Sequence, residues 1–183
     1  MTRAETAEPR LMRLFAALEP SPDFRTALGE VRDRLRAAGA EGRWLEPSNL
    51  HLTLAFIGMW PEDATRFLPP VERPFRIALS HPGVFPEANV LWAGVAPCEA
   101  LDRLAARVRR NLAEAGIPFD PQAFNPHITL ARKPRLPEGL TLADFPVPAA
   151  EMTVREVCLY RSERAESGMV YTVIGRGGAG DRD

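Results

Sequence analysis

With 183 residues, 45% hydrophobic and 26% charged side chains and a net charge of −1, the chain has the composition of one ordinary globular domain. The near-zero charge excludes a basic surface able to hold a long polyanion, so any contact with nucleic acid has to be short and local. No apolar run reaches the roughly 18–20 residues of a membrane span. Two cysteines without a secretory signal predict a reduced, cytoplasmic setting.

The first predicted elements are a strand and a helix. Residues 11–18 form a short apolar run that ends before Pro20, which is typical of a strand. Ser21 and Pro22 then supply an N-cap and a first-turn proline. Apolar residues at helical spacing follow as far as Gly39, a residue that favours the end of a helix.

The second half of the chain repeats this order about 77 positions later. A predicted strand at 90–95 ends before Pro97, and a helical stripe of apolar residues closes at Gly116. Small and apolar residues match one another at the offset of 77, which becomes 76 after a one-residue deletion in the following loop. We therefore predict an internal duplication, with units at about 11–57 and 88–132.

The remaining predicted elements are a short helix and three strands, at 61–68, 75–79, 152–160 and 169–174. Strands interleaved with helices in a duplicated pattern predict an α+β fold that is bilobal. We expect two pseudo-symmetric lobes of antiparallel sheet with outer helices, and a site in the cleft between them. The single domain is expected to span 11–174, with flexible tails at 1–10 and 175–183.

A five-residue pattern, His-x-Thr-Leu-Ala, occurs once in each unit and contains two of the three histidines of the chain. Strand alternation puts the histidine, threonine and alanine of each pentad on one face, and its apolar residues against the helix of the same unit. Imidazole titrates near neutrality and a hydroxyl can donate to an oxyanion. His51 with Thr53, facing His127 with Thr129 across a cleft, suits acid–base chemistry on a phosphate.

Two alternative chemistries use some of the same residues. A zinc site needs three or four protein ligands, and His81, expected in a turn, does not supply the third. Cys98 lies at the start of the second helix but lacks a local partner that would make it a nucleophile, and Cys158 is far from the motifs in sequence. We therefore predict no metal and no cofactor.

The chain resembles the 2H phosphoesterases, which are named for two His-x-Thr/Ser-x motifs. Within them it is similar to the bacterial and archaeal RNA 2′,3′-cyclic phosphodiesterases, first described as 2′-5′ RNA ligases. The resemblance covers almost the whole chain and includes 13–18, 44–50, 56–58, 83–86, 90–95 and 159–162. It implies metal-independent hydrolysis of an RNA 2′,3′-cyclic phosphate to a 2′-phosphate, with reversible 2′-5′ ligation as a side activity. RNA ends or nucleotides with this cyclic phosphate are the implied partners of a monomer that needs no membrane and no protein partner.

The resemblance also implies a role for each motif residue. His51 would protonate the departing 3′ oxygen, and His127 would activate the attacking water. Thr53 and Thr129 would hydrogen-bond the phosphate oxygens as charge grows on them. Arg132 is a phosphate contact in the family, although strand alternation points it away from His127.

Aromatic residues near the motifs are candidates for stacking on a terminal base. Alternation assigns Phe56 to the core, whereas Trp60 and Phe124 are expected in loops beside the motifs. Residues 160–162, at a strand end, are further candidates for the cleft lining. Many family members carry lysine where this chain has Ala55, so one positive charge is expected to be missing from the site.

Two other functions are compatible with the sequence. One is a two-histidine phosphodiesterase that acts on a small cyclic phosphate, such as ADP-ribose cyclic phosphate or a cyclic nucleotide. The other is a module that binds RNA ends without turnover. The intact histidine and threonine of both motifs argue against the binding module.

Overall fold

The structure is a computed structural model that describes residues 10–178. In chain order, the strands and α-helices of this part are β1 (Met12–Leu18), α1 (Pro22–Ala37), β2 (Glu41–Trp44), β3 (Leu52–Trp60), β4 (Phe75–Phe85), β5 (Val90–Val95), α2 (Glu99–Glu114), β6 (His127–Arg135), β7 (Glu151–Val154), β8 (Cys158–Ala165) and β9 (Gly168–Arg176). Two 3-10 turns lie at Pro47–Asn49 and Thr65–Phe67. Neither helix of the described range is long and apolar enough to cross a bilayer.

The start of α1 and the ends of both helices lie where the sequence predicts. The Ser21 hydroxyl accepts a hydrogen bond from the backbone N–H of Phe24 at 3.3 Å, so it caps the start of α1. Gly39 after α1 and Gly116 after α2 have φ angles of 94° and 71°. Glycine adopts this left-handed conformation at little cost, which allows the chain to leave each helix at these points.

The nine strands form one antiparallel sheet in the order β7-β4-β5-β6-β3-β1-β8-β9, with β2 paired to β6. The two predicted units lie side by side at its centre, where β3 of the first meets β6 of the second through the pair Leu52–Ile128. These two residues are equivalent positions of the two pentads. The pseudo-two-fold axis therefore passes through this pair, and the predicted α+β fold is confirmed.

One core fills the space between the sheet and the helices. Apolar residues of all the central strands and of both helices join in a single buried cluster. Helix α2 lies against β3 and helix α1 against β7. The expectation that each pentad packs on the helix of its own unit is therefore wrong for β3, because each helix covers the half of the sheet that contains the other unit.

Three predicted elements differ from the structure. Residues 152–160 form the end of β7 and the start of β8 rather than one strand. The short helix expected at 61–68 is only the 3-10 turn at Thr65–Phe67, in a segment bounded by prolines, which cannot donate a helical hydrogen bond. Strand β4 runs on to Phe85, so His81 lies in a strand and not in a turn. A register shift between Ser80 and Pro82 accommodates the proline.

The predicted tails, 1–10 and 175–183, lie mostly outside the described residues. In the part that is described, β9 continues through Arg176, two residues past the expected domain end. The backbone N–H of Gly177 donates to the carbonyl of Val157 at 2.7 Å. Arg176 forms ion pairs with Glu19, at 3.1 Å, and with Glu156. These contacts extend the domain at its C-terminal end.

Candidate active site

Each pentad contains a β-bulge at its leucine. The register of β1 on β3 skips Leu54, and the register of β5 on β6 skips Leu130. A bulge puts two consecutive residues on the same side and reverses the alternation beyond it. As a result, Ala55 and Ala131 are fully buried in the core. The expectation that these alanines share a face with the histidines is wrong, and a charge at position 55 would not point into the cleft.

The bulges turn the next residue of each strand toward the cleft. Phe56 is half-buried and lines a cavity together with Thr53 and His127, so its assignment to the core is wrong. Arg132, the equivalent residue of β6, is exposed and lines a neighbouring cavity with Tyr171. Regular alternation would point Arg132 away from His127. Because the bulge at Leu130 reverses the alternation, Arg132 can lie on the cleft side.

The two histidines are held in the same way. Nδ1 of His51 lies 2.7 Å from the carbonyl oxygen of Asn49, and Nδ1 of His127 lies 2.7 Å from that of Asn125. Because a carbonyl can only accept, Nδ1 carries a proton and donates it in both rings. The Nε2 atom of each imidazole is left to exchange a proton with a ligand.

The register between the two pentads brings their polar side chains together. Continuing the single β3–β6 pair by one residue in each direction puts His51 opposite Thr129 and Thr53 opposite His127. The two pentads therefore meet at equivalent positions, with one histidine and one threonine on either side of the Leu52–Ile128 pair. A tetrahedral anion at this point would meet two imidazoles and two hydroxyl groups.

Aromatic rings surround His51. Its ring centroid lies 4.6 Å from that of Phe15, 5.8 Å from Tyr160 and 5.1 Å from Tyr171, which meets it edge-on at 82°. Burial lowers the pKa of His51 to about 4, and the positive charge of Arg132 adds to this effect, while the hydrogen bond to the main-chain carbonyl opposes it.

The surroundings of His127 are more open. The Phe85 ring meets it edge-on at 4.8 Å, and Trp92 lies 6.5 Å away. Burial lowers its pKa as well, and the hydrogen bond to the Asn125 carbonyl opposes this shift. Both imidazoles are therefore neutral at pH 7 in the unliganded protein. An anion beside Nε2 favours the uptake of a second proton, on Nε2, by either ring at this pH.

A cavity of about 730 Å³ lies beside His127. Phe124 lines it, next to the second motif as expected. Trp60 is different: it is the last residue of β3, not part of a loop, and it packs against the main core. The structure does not bring Trp60 to the cleft, because a second register shift of β1 on β3, next to Gly58, changes the direction of the side chains at the end of the strand.

Arg109 of α2 is a site residue that sequence reasoning missed. Its Nε donates to the carbonyl of Leu54 at 3.1 Å, and its Nη1 donates to the carbonyl of Gln122 at 2.6 Å. Arg109 also lines the cavity beside His127. Arginines are frequent along this helix, so nothing in the sequence marks this one.

Other donor groups do not join the histidines. Within residues 10–178, no group of three or more His, Cys, Asp or Glu side chains is placed to hold a metal ion. Cys98 and Cys158 are free thiols. Burial raises the pKa of Cys158 to about 11, which disfavours the nucleophilic thiolate.

Two histidines with paired threonines, set at equivalent positions of β3 and β6 in an α+β domain, define a 2H phosphoesterase. Residues 20–166 match the family described as the 2′-5′ RNA ligase superfamily. The chain belongs to this superfamily, and the family predicted from the motifs is confirmed.

Named relatives and solved structures agree with this placement. An RNA 2′,3′-cyclic phosphodiesterase of Thermus thermophilus is 34% identical over 89% of this chain and 88% of its own length. One from Methanothermobacter thermautotrophicus is 31% identical over 88% and 95% of the two chains. The crystal structure of Escherichia coli LigT complexed with 3′-AMP superposes with a TM-score of 0.72 at 30% identity, covering 91% of this chain and 97% of that one.

Proposed function

We propose that this protein hydrolyses RNA 2′,3′-cyclic phosphate ends to 2′-phosphates with two histidines as acid and base. The observation that carries the proposal is the equivalent placement of His51 and His127, each with Nδ1 bound to a carbonyl and Nε2 free for a ligand. The names of the relatives supply the substrate class. A site with two proton-exchanging rings and two hydroxyl donors supports turnover rather than binding alone.

The reaction requires a base and an acid on opposite sides of phosphorus. Water attacks in line with the P–O3′ bond while His127 Nε2 takes its proton. The P–O3′ bond breaks, and His51 Nε2 gives its proton to the departing oxygen, which leaves the phosphate on O2′. Thr53 and Thr129 donate to the non-bridging oxygens, and Arg132 stabilises the growing negative charge.

With a 5′-hydroxyl in place of water, the same step joins two RNA ends through a 2′-5′ bond.

The acid role of His51 depends on the substrate itself. Its pKa of about 4 keeps the ring neutral in the unliganded protein. An anionic phosphate beside Nε2 favours the protonated ring, so binding of the substrate raises the pKa of His51 and lets it act as the acid. In this way His51 carries a proton on Nε2, in addition to the one on Nδ1, only when a phosphate is bound beside it.

A substrate with sulfur in place of O3′ tests these roles. With the oxygen substrate and EDTA present, we expect His51→Ala and His127→Ala each to lower kcat about 10²–10⁴-fold. A thiolate leaves without protonation, so the sulfur substrate should restore His51→Ala and not His127→Ala. Restoration of His127→Ala instead would reverse the assignment. A single variant that keeps full activity, or wild-type activity that EDTA abolishes, would contradict the mechanism.

We also propose that the enzyme acts in the cytoplasm as a monomer. Its two cysteines are free thiols, which suits a reducing compartment. Both motifs of the site come from one chain, so a second copy is not needed to complete it. Sedimentation of the purified protein at micromolar concentration should give the mass of one chain; a dimer would contradict this part of the proposal.

A further inference from the structure

We propose a second anion-binding subsite, formed by Arg13, Ser162 and Arg164, that holds a backbone phosphate of the RNA strand leading to the cyclic end. The three residues line a cavity of about 690 Å³ at the outer end of β1 and β8. The inference rests on the proposed function, and it narrows the substrate from any cyclic phosphate to the end of an oligonucleotide.

The hydroxyl group of Ser162 is buried and makes no hydrogen bond within the described part of the chain. The residue is 8% exposed. It lies two residues after Tyr160 in β8, so it faces the same side as the ring beside His51. The sheet pairs it with Arg13 on one side and Tyr171 on the other. A phosphate oxygen in the cavity would accept its hydrogen bond.

The cavity carries a strong positive charge. Four arginines and one carboxylate line it, and the carboxylate, Glu163, forms an ion pair with Arg161 at 3.0 Å. Among residues 10–178, Arg10, Arg13 and Arg164 form no ion pair. The Nε of Arg161 is also buried without a hydrogen-bond partner in the described structure. On a protein with a net charge of −1, such a local excess of cations favours an anion.

Phe56 links this cavity to the histidines. Its ring lines the cavity beside His127, and the Arg13 guanidinium lies 5.1 Å above the same ring. Along the sheet, Ser162 is about 7 Å beyond Tyr160, the spacing of two strand residues. A single strand whose cyclic end lies between the histidines therefore reaches the arginines with its adjacent nucleotides.

Apolar side chains at the same place favour a nucleotide over a simple ion. Leu11 and Met59 are 52% and 56% exposed and line this cavity. Exposed apolar groups beside cations suit a ligand with a flat base and a phosphate, which is how single-stranded nucleic acids are commonly bound.

The test compares a 2′,3′-cyclic mononucleotide with a trinucleotide that ends in the same cyclic phosphate. For Arg164→Ala, we expect the ratio of kcat/KM for the trinucleotide to that for the mononucleotide to fall about tenfold. The dependence of log kcat/KM for the trinucleotide on log salt concentration should also lose about 0.7 of its slope, the value of one contact with a single strand. Arg110→Ala is the matched control, because Arg110 is an exposed arginine of α2 outside this cavity.

Ser162→Ala gives a second readout. The ratio should fall about threefold, because one hydrogen bond to the phosphate is lost. The thermal midpoint should stay the same or rise, because the variant removes a buried hydroxyl that lacks a partner. An unchanged ratio in both variants, or an equal fall for the two substrates, would overturn the subsite.

The subsite and the proposed function fail in different ways. If the wild-type protein hydrolyses neither substrate, the proposed function is wrong, and binding of a labelled trinucleotide 2′-phosphate then tests the subsite alone. Weaker binding by Arg164→Ala than by Arg110→Ala would support it. Equal binding by these two variants would overturn it.

Discussion

At His51, burial and hydrogen bonding act in opposite directions on one ring. Burial among aromatic side chains disfavours the charged form, whereas the carbonyl bound to Nδ1 favours it, and burial prevails to give a pKa of about 4. In the unfolded chain the same ring accepts a proton near pH 6.5. His51 therefore contributes stability that is fully present above pH 6.5 and is lost as the pH falls toward 4.

Replacement of His51 by glutamine should make stability less dependent on pH. Between pH 7 and pH 4, we expect wild-type protein to lose about 3 kcal/mol more free energy of unfolding than His51→Gln. Urea unfolding at a series of pH values measures both proteins, and the titration of carboxylates cancels in the comparison. Parallel curves for the two proteins would show that His51 is not desolvated.

The residues of the site could be predicted from the sequence only in part. The histidines and threonines were accessible because the same pentad occurs in both units. The bulges could not be predicted, because Leu54 and Ala55 are both apolar and fit a regular strand as well as a bulged one. The bulge at Leu54 explains why Phe56, which alternation assigned to the core, lines the cavity beside His127. The bulge at Leu130 explains how Arg132 can lie on the cleft side, as the resemblance implies and as regular alternation would not allow.

At the scale of elements, the two bulges are held by different groups. A bulge leaves main-chain atoms without their ladder partner. The carbonyl of Leu54 accepts from the Arg109 side chain, and the carbonyl of Leu130 accepts from the backbone N–H of Leu45 at 2.9 Å. Arg109 also binds the loop that leads to His127, through the carbonyl of Gln122. One side chain of α2 therefore connects the first motif to the approach of the second.

Loss of Arg109 should weaken both stability and catalysis. Arg109→Ala leaves two carbonyls without their donor, so we expect about 1–3 kcal/mol less free energy of unfolding. The kcat should fall with it, because the first motif and the loop before the second are no longer tied together. Arg109→Lys should recover only part of the loss, since lysine lacks the forked guanidinium.

Arg110→Ala serves as the control, since the neighbouring arginine is exposed. Unfolding in urea and the kcat on the cyclic substrate are measured for all three variants. If Arg109→Ala behaves like Arg110→Ala in both measurements, the connecting role of Arg109 is wrong.

At the scale of the whole molecule, the helices make the two halves depend on each other. Helix α2 follows β5 in the chain but packs against β3. The predicted duplication rests on residues that repeat in the sequence at a nearly constant offset. The sequence did not reveal that α2 packs against the strand of the other unit. An amphipathic stripe shows that a helix is half-buried, but it does not show which strands cover it.

A core substitution in α2 should therefore destabilise both halves together. Leu112 is fully buried, and Leu112→Ala is expected to cost about 2–5 kcal/mol. Near- and far-ultraviolet circular dichroism should still report one coincident unfolding transition. Hydrogen exchange should become faster in β1 and β3 as well as in β5 and β6. Faster exchange confined to β5 and β6 would contradict the shared core.

The cross-packed helices also bear on how such a site can arise. One unit alone would expose its sheet and carry a single histidine, whereas two identical copies with exchanged helices would rebuild both the core and the cleft around a true two-fold axis. In such a dimer the two histidines would have identical surroundings. Within one continuous chain, aromatic rings enclose His51 while His127 borders an open cavity. In the proposed mechanism, joining the copies in one chain gives the two rings different surroundings, as an acid and a base require.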